Sequence, residues 1–298
     1  MEKARISFYE EIRRNKIQSS ILISVVFIVL LVLCYTIGAI LGGDYFFFIL
    51  IFGTIFSLIY VVGGYYKSAS LAIASVNAKE ADPTRYGQYH SIVEGLCLAS
   101  GLPKPKLYVM ENSQINAFAS GRDPKHAVIC VTTGALSRLD KKELEGVLAH
   151  ELSHVANFDI RFMTLTAVLV GMISIIAQIF LRSLFWGSVG GSGGNSKDKS
   201  GAILMIIGII LAILAPIVVM IVQFAISRKR EYGADSSAVK FVRSPTGLIG
   251  ALKKIQGNSP MEVSGAVAPL FLAKPHKKRE WFSTHPPLSD RIARLEKM

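Results

Sequence analysis

Two uninterrupted apolar runs dominate the first quarter of the chain. Ile21 to Leu41 and Tyr45 to Tyr66 contain no charged residue, and each is about 20 residues long, enough to span a ~30 Å hydrocarbon layer at 1.5 Å rise per residue. Only Gly42-Gly43-Asp44 separates them, which predicts a tight helical hairpin over residues 21–66. The first run starts too late and is too long for a cleavable signal peptide, and it leads straight into the second. A third run, Phe162 to Leu181, ends at Arg182, and a fourth, Gly201 to Ile226, is interrupted only by Pro216, which neighbouring helices accommodate in a bilayer. Residues 186–200 between them are rich in Gly and Ser and read as a flexible loop, so residues 162–226 form a second hairpin. These last two runs either cross the bilayer or lie against the other elements. In both cases the polar segments stay on one side.

The polar segments carry shorter periodicities. Asp82-Pro83 reads as a helix start, followed at helical spacing by Tyr86, Tyr89, Ile92, Val93 and Leu96 and stopped by Gly101-Leu102-Pro103. Leu107–Met110 and Ala127–Val131 have the composition of short strands. Ile115-Asn116-Ala117-Phe118-Ala119 reads as a third extended piece closed by Ser120-Gly121. Asp140 with Glu143 three residues on is a capping box, predicting a helix to about Asn157 that buries Leu144, Val147, Leu148, Leu152 and Val155. The fold class is α+β: a mainly helical integral membrane protein with four transmembrane helices and a small mixed α/β domain.

Composition agrees. Of 298 residues, 51% are hydrophobic and only 18% charged, against about 25% charged in ordinary soluble domains. The net charge of +12 falls where membrane topology needs it. Lys3, Arg5, Arg13, Arg14 and Lys16 precede the first run and Arg228-Lys229-Arg230 follow the fourth, whereas the hairpin loops are poor in Lys and Arg. The N-terminal arm (residues 1–20) and segments 67–161 and 227–298 are therefore assigned to the cytoplasm. No aromatic-interleaved basic patch or Cys/His finger supports nucleic-acid binding. Cys34, Cys97 and Cys130 form neither a disulfide framework nor a metal pair, and read as free thiols in a reducing compartment.

The candidate chemistry lies on the capped helix. In His150-Glu151-Leu152-Ser153-His154 the histidines at i and i+4 share one helical face, where both imidazoles reach a single ion, and the intervening Glu can take a proton from water. A catalytic zinc site needs a third protein ligand and an open position. Glu231 is the candidate, with Asp235 at i+4 placed to hold a ligand imidazole; the plain alternative for Glu231 is a surface ion pair with Arg230. A receptor or scaffold with structural zinc is the competing function, but such sites are closed by four protein ligands. A transporter is disfavoured because no span carries an ionisable relay.

Together the paired N-terminal spans, Asn116-Ala117-Phe118-Ala119, His150-Glu151-Leu152-Ser153-His154-Val155-Ala156-Asn157, Arg230-Glu231-Tyr232-Gly233-Ala234-Asp235 and Thr284-His285-Pro286-Pro287-Leu288 resemble the HtpX heat-shock membrane metalloprotease family of bacteria, related to the CAAX prenyl endoproteases. The resemblance implies a zincin-like (gluzincin) catalytic domain with one Zn2+ per chain held by His150, His154 and Glu231, and Glu151 as general base. It implies that Asn116 and Ala117 belong to an edge strand that holds extended substrate, with a plain turn as the alternative. It casts His285, with Arg291 behind it, as a transition-state or substrate contact; a third metal ligand and a solvated loop histidine are the other readings. The expected location is the bacterial inner membrane, multi-pass, with both termini and the active site cytoplasmic. The expected substrates are peptides or membrane proteins, misfolded ones above all, in quality control and stress response.

Overall fold

The structure, a computed structural model, describes residues 8–41, 45–166, 228–257, 270–272 and 286–298. The third and fourth apolar runs beyond residue 166, the loop 186–200 and His285 lie outside the described residues.

Helix α1 (Phe8–Leu41) joins the basic arm to the first apolar run without a break, because the arm contains good helix formers and neither Gly nor Pro. Helix α2 (Tyr45–Ser75) likewise continues past Tyr66. Among the described residues, Phe46–Ser75 is the one helix found long and apolar enough to cross a membrane. Phe47, Phe48, Phe52, Phe56 and Ile59 stand exposed along it, a large apolar face that suits lipid. The two helices approach closely at Gly53, where any Cβ would collide with the Cys34 side chain, as small residues allow in membrane helix pairs.

The mixed α/β half begins with β1 (Lys79–Glu80), α3 (Gly87–Ser100), β2 (Lys106–Met110), β3 (Ala117–Gly121), β4 (Ala127–Thr132), α4 (Thr133–Arg138) and α5 (Lys141–Ala156). A helical segment, 159–166, follows; α6 (Arg228–Val242), α7 (Thr246–Gln256) and α8 (Leu288–Leu295) complete it. The sheet order is β1-β2-β4-β3. Strands β2 and β4 run parallel, and β3 pairs antiparallel with β4, with Ala117 opposite Val131 and Gly121 opposite Ala127. This leaves β3 at an edge.

Both signals of the Asp140–Glu143 capping box are present: the Asp140 side chain accepts from Glu143 N–H, and Glu143 Oε2 accepts from Asp140 N–H at 2.8 Å. From Gly146 to Ala156 every residue of α5 is buried, so the helix is central, and its polar side chains need partners inside the protein. Helix α7 can cross it at contact distance because Gly146 faces the Leu248 backbone and Gly247 faces Lys142. The apolar face of α5 packs with α3, the sheet and α7 in one core that includes Tyr89, Ile129, Leu148 and Leu252.

Two local expectations change. Asp82-Pro83 forms a turn: Asp82 Oδ1 accepts from Thr84 N–H (2.8 Å) and its carbonyl from Tyr86 N–H (2.8 Å). Such an Asx turn competes with the helix, and α3 starts at Gly87. Ser120-Gly121 belongs to β3 rather than closing it. Gly121 adopts φ +141°, open to glycine, and Thr164 satisfies both residues, with Ser120 Oγ at 3.0 Å and Gly121 N at 3.3 Å from its hydroxyl oxygen.

Among the described residues, the hairpin meets the mixed α/β half at one end. Asn15, Lys16 and Gln18 from the start of α1 touch residues 157–159 and Arg230. The far part of α2 delivers Tyr65 and Tyr66, over which Arg161 and Arg122 stack.

Candidate active site

Helix α5 presents His150 and His154 one turn apart, their rings edge to face with centroids 4.8 Å apart. Helix α6 lies across α5, held by Ser153, whose Oγ donates to His150 O (2.7 Å) or Ala234 O (3.1 Å). This crossing brings Glu231 opposite both rings. The two Nε2 atoms are 3.3 Å apart. Glu231 Oε2 is 3.6 Å from His150 Nε2, and its Oε1 is 3.7 Å from His154 Nε2. Donor atoms of all three residues lie within 4.8 Å of one another, and all three are buried.

Each imidazole has a carboxylate behind it. Asp235 Oδ1 is 3.0 Å from His150 Nδ1, and Asp159 Oδ2 is 3.0 Å from His154 Nδ1. An Nδ1–H donated outward leaves the Nε2 lone pair facing the cluster centre, the tautomer a metal ligand requires. The donor set therefore fits a metal: about 3.3 Å is also the edge of a tetrahedron with metal–nitrogen bonds of about 2.0–2.1 Å.

Arg291 closes the cluster from α8. It is fully buried, donating from Nε (2.9 Å) and Nη2 (2.6 Å) to Asp235, with Nη1 3.3 Å from Glu231 Oε2. Burial opposes charge on both Arg291 and Asp235, yet their mutual attraction wins: Asp235 is held below the usual carboxylate range and Arg291 raised. For His150, burial and Arg291 push the pKa down, but Asp235 and Glu231 outweigh them and lift it to about 9 without metal. Glu151 is pushed up, chiefly by burial, although both histidines and a hydrogen bond from the Ala119 backbone favour its charged form.

Of the residues singled out in sequence, His150, Glu151, His154, Glu231, Asp235 and Arg291 converge. Arg291 stands behind His150 through Asp235; His285 lies outside the described residues. Arg230 and Glu231 are both buried rather than at the surface, and Arg230 reaches Gln18 and Asp159. Ala117 opens edge strand β3, so it is in a strand and not a plain turn, and Asn116 immediately precedes it. The Ala117 carbonyl, however, accepts Leu272 N–H at 3.0 Å, and Phe271 packs on Phe118 with ring centroids 4.9 Å apart. Asp159 escaped the sequence reading. It reaches back to His154 because Phe158 takes φ +59°, a chain reversal with no glycine to announce it.

The family model for Peptidase family M48 matches residues 83–298. The chain belongs to peptidase family M48. Curated proteins named "Protease HtpX homolog" are similar along most of its length. The protein from Caldanaerobacter subterraneus subsp. tengcongensis is 49% identical, with 84% of each chain covered. That from Dictyoglomus thermophilum is 40% identical over 98% of this chain and 95% of its own. That from Listeria monocytogenes serotype 4a is 39% identical over 97% and 99%. Among solved structures, S. mikatae Ste24p aligns with a TM-score of 0.48 at 19% identity, covering 95% of this chain and 65% of that one. The M48 chain described here is thus a metallopeptidase, a hydrolase of peptide bonds. It carries a buried His-His-Glu cluster able to hold a metal ion.

Proposed function

We propose that this M48 peptidase is a multi-pass bacterial inner-membrane endopeptidase that uses one Zn2+ held by His150, His154 and Glu231 to cut membrane proteins, misfolded ones included, on the cytoplasmic side. The observation that carries the reading is the convergence of α5 and α6, which turns two imidazole Nε2 atoms and one carboxylate toward a common point with a second carboxylate, Glu151, one residue from His150. When bound, zinc supplies Lewis acidity at the scissile carbonyl.

The chain's own groups do the rest. Glu151, buried beside both histidines, takes the proton of the attacking water and returns it to the leaving amine. Its raised pKa suits a base that must also act as an acid. Asp235 and Asp159 hold the ligand tautomers, and Arg291 neutralises Asp235 and Glu231. Edge strand β3 offers main-chain groups to an extended substrate in the manner of strand addition. Substrate pairing at Ala117 competes with Leu272 N–H for the same carbonyl. His285 remains assigned, from the family resemblance, to contact substrate or the transition state.

The seating of the catalytic half on one end of the α1–α2 hairpin, at its basic and aromatic end, supports membrane substrates. The Lys/Arg bias assigns that end to the cytoplasm. Two measurements test the reading. Chelator-stripped protein should lose cleavage of an unfolded membrane substrate and regain it with one equivalent of zinc; full activity without metal overturns it. In a background free of Cys34, Cys97 and Cys130, single cysteines at Glu10 and Lys141 should resist an impermeant thiol reagent in intact cells and react after lysis. Labelling of Lys141→Cys from outside overturns the topology. The same probe at Ser192 separates crossing from non-crossing arrangements of the later apolar runs.

A further inference from the structure

Asn15 lies outside the M48-matched residues 83–298, yet it belongs to the surroundings of the metal donors. It sits on α1 at 3% exposure. Its Nδ2 donates to Asp159 Oδ1 and to the carbonyl of Asn157, both at 2.8 Å. The other Asp159 oxygen, Oδ2, faces His154 Nδ1 at 3.0 Å. Three residues along the same helix, Gln18 Oε1 accepts from Arg230 Nη2 at 2.5 Å, and Arg230 Nε is 3.5 Å from Asp159 Oδ1. Positions i and i+3 share a helical face, so one face of α1 grips the flanks of two donors: the residues following His154 and the residue preceding Glu231.

This arrangement is specific. A buried amide is costly unless bonded, and here its N–H groups are spent on partners 142 and 144 residues away. A carboxylate bonded to one imidazole is free to swing about its Cα–Cβ and Cβ–Cγ bonds. Fixing its second oxygen removes that freedom and sets the ring plane of His154. A neutral amide does so without adding a second cation beside the Arg230 guanidinium, which lies 3.5 Å from the same oxygen.

We infer that α1 is a positioning element of the metal centre: Asn15 fixes Asp159, and through it His154, so the zinc site reaches full affinity only when the N-terminal membrane helix is docked. Asn15 is a positioning residue and touches no reacting atom. The inference rests on zinc being held by His150, His154 and Glu231.

The test uses the full chain in detergent and reads zinc affinity by competition with a chelator. Asp159→Asn should weaken zinc binding about 10–100-fold, and Asn15→Ala about 3–10-fold, as expected for losing, of the two hydrogen bonds that Asn15 makes, the one that reaches Asp159. The double variant should match Asp159→Asn within about twofold, because both changes act through one carboxylate. Ser20→Ala, at an exposed position of the same helix, should leave affinity unchanged. If Asn15→Ala does not fold, Asn15→Gln keeps the amide but misplaces it, and should still weaken binding and alter the visible spectrum of the Co2+-substituted protein. Parent-like affinity in the Asn15 variants overturns the inference while leaving the zinc site intact. Fully additive losses in the double variant overturn it too, since Asn15 would then act on the fold at large. A parent chain that binds no zinc overturns the underlying site assignment instead.

Discussion

His150 and His154 match at the nitrogen that faces the cluster and differ in what stands behind them. Behind His150 the support is ionic and internal to the catalytic half: Asp235 from α6 is gripped by two charge-assisted bonds from the fully buried Arg291 of α8. Behind His154, Asp159 is held by the neutral amide of Asn15 from α1 at 2.8 Å and by a longer ion pair with Arg230 at 3.5 Å. A buried ionic pair is expensive to break because it leaves an uncompensated charge, whereas a neutral hydrogen bond can be lost for about 1 kcal/mol. The protein has thus placed its firm clamp inside the catalytic half and its softer one at the junction with α1.

The largest effect should come from removing the firm clamp. Arg291→Met leaves Asp235 and Glu231 buried without their cation, and unfolding of the metal-free protein should become easier by on the order of 3–5 kcal/mol. Arg230→Met, which loses Gln18 and a single, longer ion pair with Asp159 at 3.5 Å, should cost less, about 1–3 kcal/mol. Equal losses in a denaturant titration would erase the contrast.

At the next level the two carboxylates should behave alike. Asp235→Asn and Asp159→Asn are each expected to weaken zinc binding by about 10–100-fold, because both histidines need the same tautomer whatever holds the partner. Parent-like affinity in Asp159→Asn, with a loss in Asp235→Asn, would mean that His154 needs no carboxylate.

The smallest effect concerns the thiols. Burial pushes Cys97 and Cys130 upward, Cys130 within β4 well above the usual thiol range, so neither should alkylate at pH 8 in the folded protein. Arg291→Met should expose them on a measurable timescale and Arg230→Met should not, if the ionic clamp and not the junction holds the core closed.

Much of the firm half was legible in the sequence. Helix α5 declares itself by its capping box, its facing histidines and its apolar spacing. The i, i+4 relation of Glu231 and Asp235 places both toward α5 once α6 is a helix. The strands Lys106–Met110 and Ala127–Thr132 follow from their apolar and β-branched composition. The softer half was not legible, for reasons of chemistry. Asp159 is five residues beyond His154, off its face in a continuous helix, and reaches it only through the left-handed turn at Phe158. Asn15 and Gln18 lie in a charged arm whose polarity suggests solvent, and only tertiary docking of α1 shows their targets. The occupation of the Ala117 carbonyl by Leu272 is a contact across 155 residues that no local pattern encodes.

The central claim is that His150, His154 and Glu231 hold zinc while Glu151 moves the proton. Zinc content and peptide hydrolysis measured side by side on Glu151→Gln test it most directly. Glu151→Gln should retain about one zinc per chain, as the three-ligand set of a catalytic site requires, with hydrolysis abolished. Parent-like hydrolysis, or loss of the metal from this variant, would contradict it.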